Sequence, residues 1–198
     1  MTDYHVVLGV VTVIMAFVGY GLYFRSIFKL ETKPHPFTWF LFLVLDGTVF
    51  VAQVVSGAGP GAWSMGVGTI LAAVVFLLAL KRGEKRIAKF DWACLGVALL
   101  GIGGWIVTNN ALVAVVLASL TDSLAKAPTV RKSYLRPYEE SVSIWSLDLV
   151  RFFLSILALS SITLTTALSP AEIIVTNAIL VIVILLRRRQ LAVQAKTG

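Results

Sequence analysis

ALVAVVLASLTDSLAKAPTVRK, residues 111–132, opens as a run that lipid would dissolve and closes as a basic one. Its first ten residues carry no charge; Asp122, Lys126, Pro128, Arg131 and Lys132 then follow within eleven. A helix of roughly 20 mostly apolar residues crosses the roughly 30 Å of bilayer hydrocarbon at about 1.5 Å per residue. The stretch therefore reads as a membrane span holding an acid near its middle and a proline near its end.

The rest of the chain agrees with a lipid solvent. Of its 198 residues 58% are apolar and 14% charged, and the mean hydropathy is +0.90. Soluble domains carry about 45–50% apolar residues. The single cysteine, Cys94, rules out a disulfide framework, and His5 and His35 stand far apart, so no metal site is expected. GxGxxG, P-loop and GxSxG motifs are absent. No cofactor is implied, and with no nucleophile–base–orienter set an enzyme is the weakest reading. The first apolar run has neither a basic leader nor a small-residue cleavage site, and is expected to be a retained helix.

Seven spans can be laid out, at 5–27, 36–56, 60–80, 91–108, 110–130, 143–166 and 170–186. Pro36, Pro60 and Pro170 are placed at first helical positions, where a missing N–H is harmless. In LSPAE, Ser169 is expected to cap the last span, with Glu172 as the return arm of a capping box. Asp91 is expected to cap the fourth. With seven spans, 16 of the 17 Lys and Arg residues fall on one side: Arg25, Lys29 and Lys33; Lys81 to Lys89; Lys126 to Arg136; and Arg187 to Lys196. The positive-inside rule then predicts N-terminus out and C-terminus in. The net charge of +7 is thus expected to meet anionic headgroups and not nucleic acid.

The chain also repeats itself. YGLYFRSIFKLETKPHPFTWFLFLVLDG leads to GPGAWSMGVGTILAAVVFLLALKR, and DSLAKAPTVRKSYLRPYEESVSIWSLDLVRFF leads to LSPAEIIVTNAILVIVILLRRR. Pro34 matches Pro137, Trp39 matches Trp145, and Pro60 matches Pro170. The expected fold is an all-α membrane protein of seven transmembrane helices in a 3+1+3 arrangement of two parallel three-helix repeats. Residues 1–80 form the first repeat, 81–109 a linker with an inversion helix, and 110–198 the second repeat with a basic tail.

That plan resembles the PQ-loop superfamily, which includes SWEET sugar transporters, lysosomal amino-acid exporters and KDEL receptors. Pro128-Thr129 stands where the family has Pro-Gln, and Asn177 falls where SWEET-like proteins place an asparagine facing the substrate. KPHPFTW together with DSLAKAPTVRKSYLRP also looks like small bacterial membrane proteins of this plan. The resemblance implies a multi-pass protein of the bacterial cytoplasmic membrane.

Ionisable groups within a span cost roughly 2.5–3.5 kcal/mol each, so they normally face a cavity or a partner. Asp46 lies about 15 Å from Pro36, on the same face as Trp39. Asp122 can pair with Lys126 four residues on, and Asp148 with Arg151 three residues on. Arg151 is either a structural partner of Asp148 or an anion-binding group. Asn177 either bonds between helices or lines a solute site. Pro128 frees the carbonyl one turn earlier and is expected to act as a hinge beside Asp122.

The leading expectation is a carrier of a small polar solute (sugar, amino acid or vitamin-like) by alternating access, with proton coupling open. Asp46, Asp122, Asp148, Arg151 and Asn177 would serve solute or protons, and Trp39 and Trp145 would form part of an inner gate. A KDEL-type receptor without transport and a lipid-handling or scaffold protein are the alternatives. Membrane lipid and the solute are the expected partners; a homo-oligomer is left open.

Overall fold

The computed structural model describes residues 3–29, 34, 36–82, 89–139 and 142–197. His35, Lys33, Lys85 and Arg86 lie outside the described residues, as do the side chains of Arg82, Asp91, Cys94, Pro128, Arg131, Lys132 and Lys196. Among those described there is no strand. Seven α-helices run in order: α1 Tyr4–Phe28, α2 Pro36–Val55, α3 Trp63–Arg82, α4 Lys89–Thr108, α5 Ala111–Leu135, α6 Val142–Leu157 and α7 Leu164–Thr197. Short 3₁₀ turns at Gly59–Ala62 and Pro137–Glu139 precede α3 and α6.

Four segments are long and apolar enough to cross a membrane: Tyr4–Phe28, Pro36–Val55, Gly59–Lys81 and Leu164–Gln194. Their surfaces fit that solvent. On α1, Val7, Val10, Ile14, Phe17 and Leu22 are exposed, while Gly9, Thr12 and Ala16 are buried. Small residues inward and large apolar ones outward invert the pattern of a soluble helix, because lipid rewards close backbone packing and not burial of apolar area. The apolar part of α4 is shorter, Leu95–Thr108. α6 has 16 residues, about 24 Å at 1.5 Å each.

Local chemistry sets the ends. Asp3 caps α1 by accepting from the N–H of His5 at 3.0 Å. α2 stops where Gly57 takes φ +77, and the N–H of Ala58 returns to the carbonyl of Gln53 at 2.9 Å. Asn109, at φ 50, ends α4, and Asn110 accepts from the N–H of Leu112 at 3.0 Å to start α5. α2 begins at Pro36 as expected.

Several expected boundaries are corrected. α5 runs unbroken through Pro128 to Leu135, and α4 begins at Lys89, so Asp91 stands inside its first turn and not at its cap. α6 ends at Leu157, not near residue 166, and α7 begins at Leu164, not at Pro170. The start of α7 is fixed by a reciprocal cap: the N–H of Thr163 donates to Thr166 Oγ1 at 2.9 Å, and the N–H of Thr166 to Thr163 Oγ1 at 3.3 Å. Pro170 is therefore inside the helix and leaves the carbonyl of Thr166 without its usual partner. Gln53 of α2 supplies one, its Nε2 donating to that carbonyl at 2.8 Å. Ser169 and Glu172 are consequently not a capping box.

The packing has a definite order. α3 sits between α1 and α2, and α7 sits between α5 and α6; α1 meets α6, α2 meets α5, and α4 leans on α5 and α2. An apolar layer crosses the centre: Leu45 and Val49 of α2, Met65 of α3, Ala98 of α4, Ala118 of α5, Phe152 of α6 and Ile173 of α7. At the end bearing the α2–α3 and α6–α7 turns, the chains touch backbone to backbone. The N–H of Ser160 donates to the carbonyl of Ala58 at 2.9 Å, and Ser155 Oγ donates to the carbonyl of Gly61 at 2.5 Å. A Cβ on Gly61 would stand 2.8 Å from Leu159 Cα, so only glycine permits this approach.

Candidate functional site

One helical turn from the apolar layer, toward the end where the basic residues gather, lies a polar layer. On α2 Asp46 lies on the turn between Leu45 and Val49, three residues before Val49; on α5 the step from Ala118 reaches Asp122; on α7 the step from Ile173 reaches Asn177; on α6 Arg151 directly precedes Phe152 and Asp148 lies one turn below it. The steps to Asp46, Asp122, Asn177 and Asp148 are three or four residues, about 4.5–6 Å. α3 contributes the carbonyl of Gly68, which accepts from Tyr20 Oη of α1 at 3.2 Å. Polar groups from six helices thus meet at one level.

The layer is wired in two halves. On one side Asp148 Oδ1 lies 3.0 Å from Arg151 NH2, and Arg151 NH1 donates to Ser64 Oγ of α3 at 3.3 Å. Arg151 is buried and its guanidinium also lies 4.4 Å from the centre of the Phe152 ring. On the other side Lys126 pairs with Asp122 within α5, donates to Thr176 Oγ1 of α7 at 3.0 Å, and stands 3.8 Å from Glu172 Oε1. Ser123 Oγ donates to the same Glu172 oxygen at 2.6 Å. One ammonium is therefore shared by two carboxylates, none of the three groups being more than 18% exposed.

Asp46 stands between these halves. It is half-buried, and no hydrogen bond or ion pair reaches it among the described residues. The charges of Asp122, Lys126, Arg151 and Asp148 lie within electrostatic reach of it. Asn177 is 1% exposed, and neither its Oδ1 nor its Nδ2 has a partner among the described residues. A buried amide left unpaired costs about 1–3 kcal/mol.

Below Asp46, two turns along α2, Trp39 gathers aromatic rings. Its centroid is 6.0 Å from Tyr20 in a T-shaped contact at 63°, 5.1 Å from Tyr23, and 5.6 Å from Phe42 at 87°. Trp145 holds the same place in α6, the fourth residue of its helix, and is half-buried, with no ring contact among the described residues. Pro128 lies in helical backbone at the basic end of α5.

The structure pairs Asp122 with Lys126 and Glu172, and Asp148 with Arg151, and puts Asp46 within electrostatic reach of both groups; Asn177 lies at the same level of α7 with no hydrogen bond to them among the described residues, Trp39 lies two turns along α2, and Trp145 and Pro128 lie nearer the basic ends of their helices. Sequence reading missed Glu172, taken for a cap, and Tyr20 and Ser64, which the layer recruits from α1 and α3. Glu172 and Thr176 are four residues apart, as Asp122 and Lys126 are. That spacing was the signal, hidden by the belief that Pro170 starts the helix. Among the described residues no three His, Cys, Asp or Glu side chains converge as metal ligands do.

Comparison with known protein families, with characterised proteins and with solved structures returns no match to this chain.

Proposed function

We propose that the chain is a membrane carrier of a small polar solute, working by alternating access and built as seven spans in the 3+1+3 plan of PQ-loop and SWEET-like proteins. The observation that carries this reading is the polar layer, with its unpaired carboxylate at Asp46 and unpaired amide at Asn177, seated directly under an apolar layer. Polar groups inside a span are costly unless they do work or face one another, and two of these have no partner among the described residues.

The repeat is supported by the packing order, since α1, α3, α2 of the first unit and α5, α7, α6 of the second are arranged alike. Each unit meets the other through a pair that the same two-fold relation exchanges, α1 with α6 and α5 with α2. Such parallel repeats about an axis along the membrane normal put a solute site between the halves. The basic residues at the outgoing ends of α1, α3, α5 and α7 support, by the positive-inside rule, an orientation with that end in the cytoplasm. The glycine-packed seam between the two turns then closes the outer end, and the aromatic cluster at Trp39 lines the way in from the inner one.

The test locks the seam. An ideal Cβ on Gly57 lies 3.9 Å from the Cβ of Ser161, within the disulfide range of about 3.5–4.5 Å. In a Cys94→Ala background, Gly57→Cys with Ser161→Cys should cross-link on oxidation. Proteoliposomes are then assayed across sugars, amino acids, amines and vitamins. Flux of one solute should stop on oxidation and return with dithiothreitol, judged against the reduced double variant and each single variant, since a side chain at Gly57 strains a backbone with φ +77. Full flux through the cross-linked protein would show that this end need not open.

A further inference from the structure

We infer that the solute is an organic cation carrying a protonated amine, bound between Asp46 and the Asp122–Glu172 pair. This rests on the carrier reading and adds the charge class to it.

Consider the charges held in or beside the polar layer. The carboxylates are Asp46, Asp122, Asp148 and Glu172; the cations are Lys126 and Arg151. Arg151 is committed to Asp148, and Lys126 is divided between Asp122 and Glu172. Asp46 and one member of the Asp122–Glu172 pair are left without a counter-charge, and Glu172 Oε2 is buried with no partner. An anionic solute would add to an excess that already exists. A neutral sugar would leave it unrelieved. An ammonium placed between Asp46 on α2 and Asp122 on α5 answers Asp46 directly and leaves Lys126 free for Glu172, and it does so across the junction of the two three-helix units, where α2 meets α5.

Two further features point to the same class. Asn177 lies at this level on the face of α7 that carries Ile173 into the apolar layer, and its amide, unpaired among the described residues, has both donors and an acceptor to offer the rest of the solute. Two turns along α2 from Asp46, Trp39 and Tyr20 pack against each other with centroids 6.0 Å apart, an aromatic pair on the basic side of the layer. Aromatic faces attract cations and leave anions unfavoured. Carboxylate, amide and aromatic wall together describe an amine site.

The experiment uses the full chain in nanodiscs, titrated with putrescine, glucose and succinate, with thermal unfolding as readout; the same three solutes are followed in proteoliposome uptake. Putrescine should raise the melting temperature saturably, and succinate should not. Asp46→Asn, which keeps shape, should weaken putrescine at least tenfold, and Asn177→Leu should weaken it while raising the melting temperature of the empty protein. Saturable stabilisation by glucose or succinate with putrescine silent would overturn the inference, as would silence toward all three, or an Asp46→Asn affinity within twofold of the parent. Uptake of glucose would overturn the charge class while leaving the carrier reading intact. Putrescine binding without any uptake would leave the charge class intact and remove the carrier.

Discussion

Gln53 and Pro170 make the most discriminating test of how the bundle is held. Pro170 gives the carbonyl of Thr166 no intrahelical donor, and Gln53 Nε2 reaches it from α2 across 2.8 Å. Gln53 and Thr166 are both fully buried, so water has no access to the freed carbonyl. Replacing Gln53 by methionine keeps the bulk and removes the donor. An orphaned buried acceptor costs about 1–3 kcal/mol, and interhelical hydrogen bonds in membranes measure about 0.6 kcal/mol on average and 1.7 at most. Gln53→Met alone should therefore destabilise by about 1–2 kcal/mol. In a Pro170→Ala background, residue 170 again has an N–H aimed at Thr166, and the same change should cost almost nothing. The coupling between the two sites should be about 1 kcal/mol, roughly fivefold in the unfolding equilibrium. Reversible unfolding in mixed micelles of the parent, both single variants and the double variant reads it directly. Equal losses from Gln53→Met in the two backgrounds, to within about 0.4 kcal/mol, would refute the link and with it the account of why a helix continues through this proline.

Gly61→Ala should lower stability by about 1–3 kcal/mol, because its Cβ would fall 2.8 Å from both N and Cα of Leu159; Gly103→Ala, with nothing within 4 Å, should have no such cost, and thermal unfolding separates the two. Lys126→Met strips Asp122 and Glu172 of their shared cation and should cost about 3 kcal/mol; adding Asp122→Asn should recover part of this in the same unfolding assay, and no recovery would show that Lys126 acts through packing.

The sequence makes the helices legible where physics is local. Pro36, the Asn109–Asn110 turn and the apolar runs of α1 to α3 follow from chain chemistry alone. It misleads at α7 for a non-local reason. LSPAE looks like a helix start because a proline inside a helix normally lacks a donor for the carbonyl one turn before it. The donor here lies 113 residues away in sequence, where no window along the chain can find it. The same distance hides Glu172. Read as a cap, it spends its carboxylate on backbone; read inside α7, it faces Ser123 and Lys126 of α5. Asp46, Asp122 and Arg151 were legible because a charge in a span is conspicuous by itself, but their convergence is a property of the packing order.

That order gives the seam its mechanical meaning. Gln53 reaches from α2 to a carbonyl of α7, and Ser155 reaches from α6 to the carbonyl of Gly61 at the head of α3. Under the repeat proposed above, these are bonds of one kind: a side chain from the second helix of one unit donates to a carbonyl near the proline of the other, Gly61 next to Pro60 and Thr166 one turn before Pro170. Pro60 and Pro170 are the residues that make such carbonyls available or bring the turn close. Both clamps lie on the far side of the apolar layer from the polar groups, next to the direct contact between Ser160 and Ala58. Opening that end therefore requires these two side-chain hydrogen bonds and the backbone bond from Ser160 to Ala58 to break together while the polar layer stays intact beneath. Each is worth about 0.6 kcal/mol, and at most about 1.7 kcal/mol, so together they resist opening without forbidding it. On the carrier reading proposed above, a solute that gains a comparable amount from binding Asp46 and Asn177 would release a seam held this way.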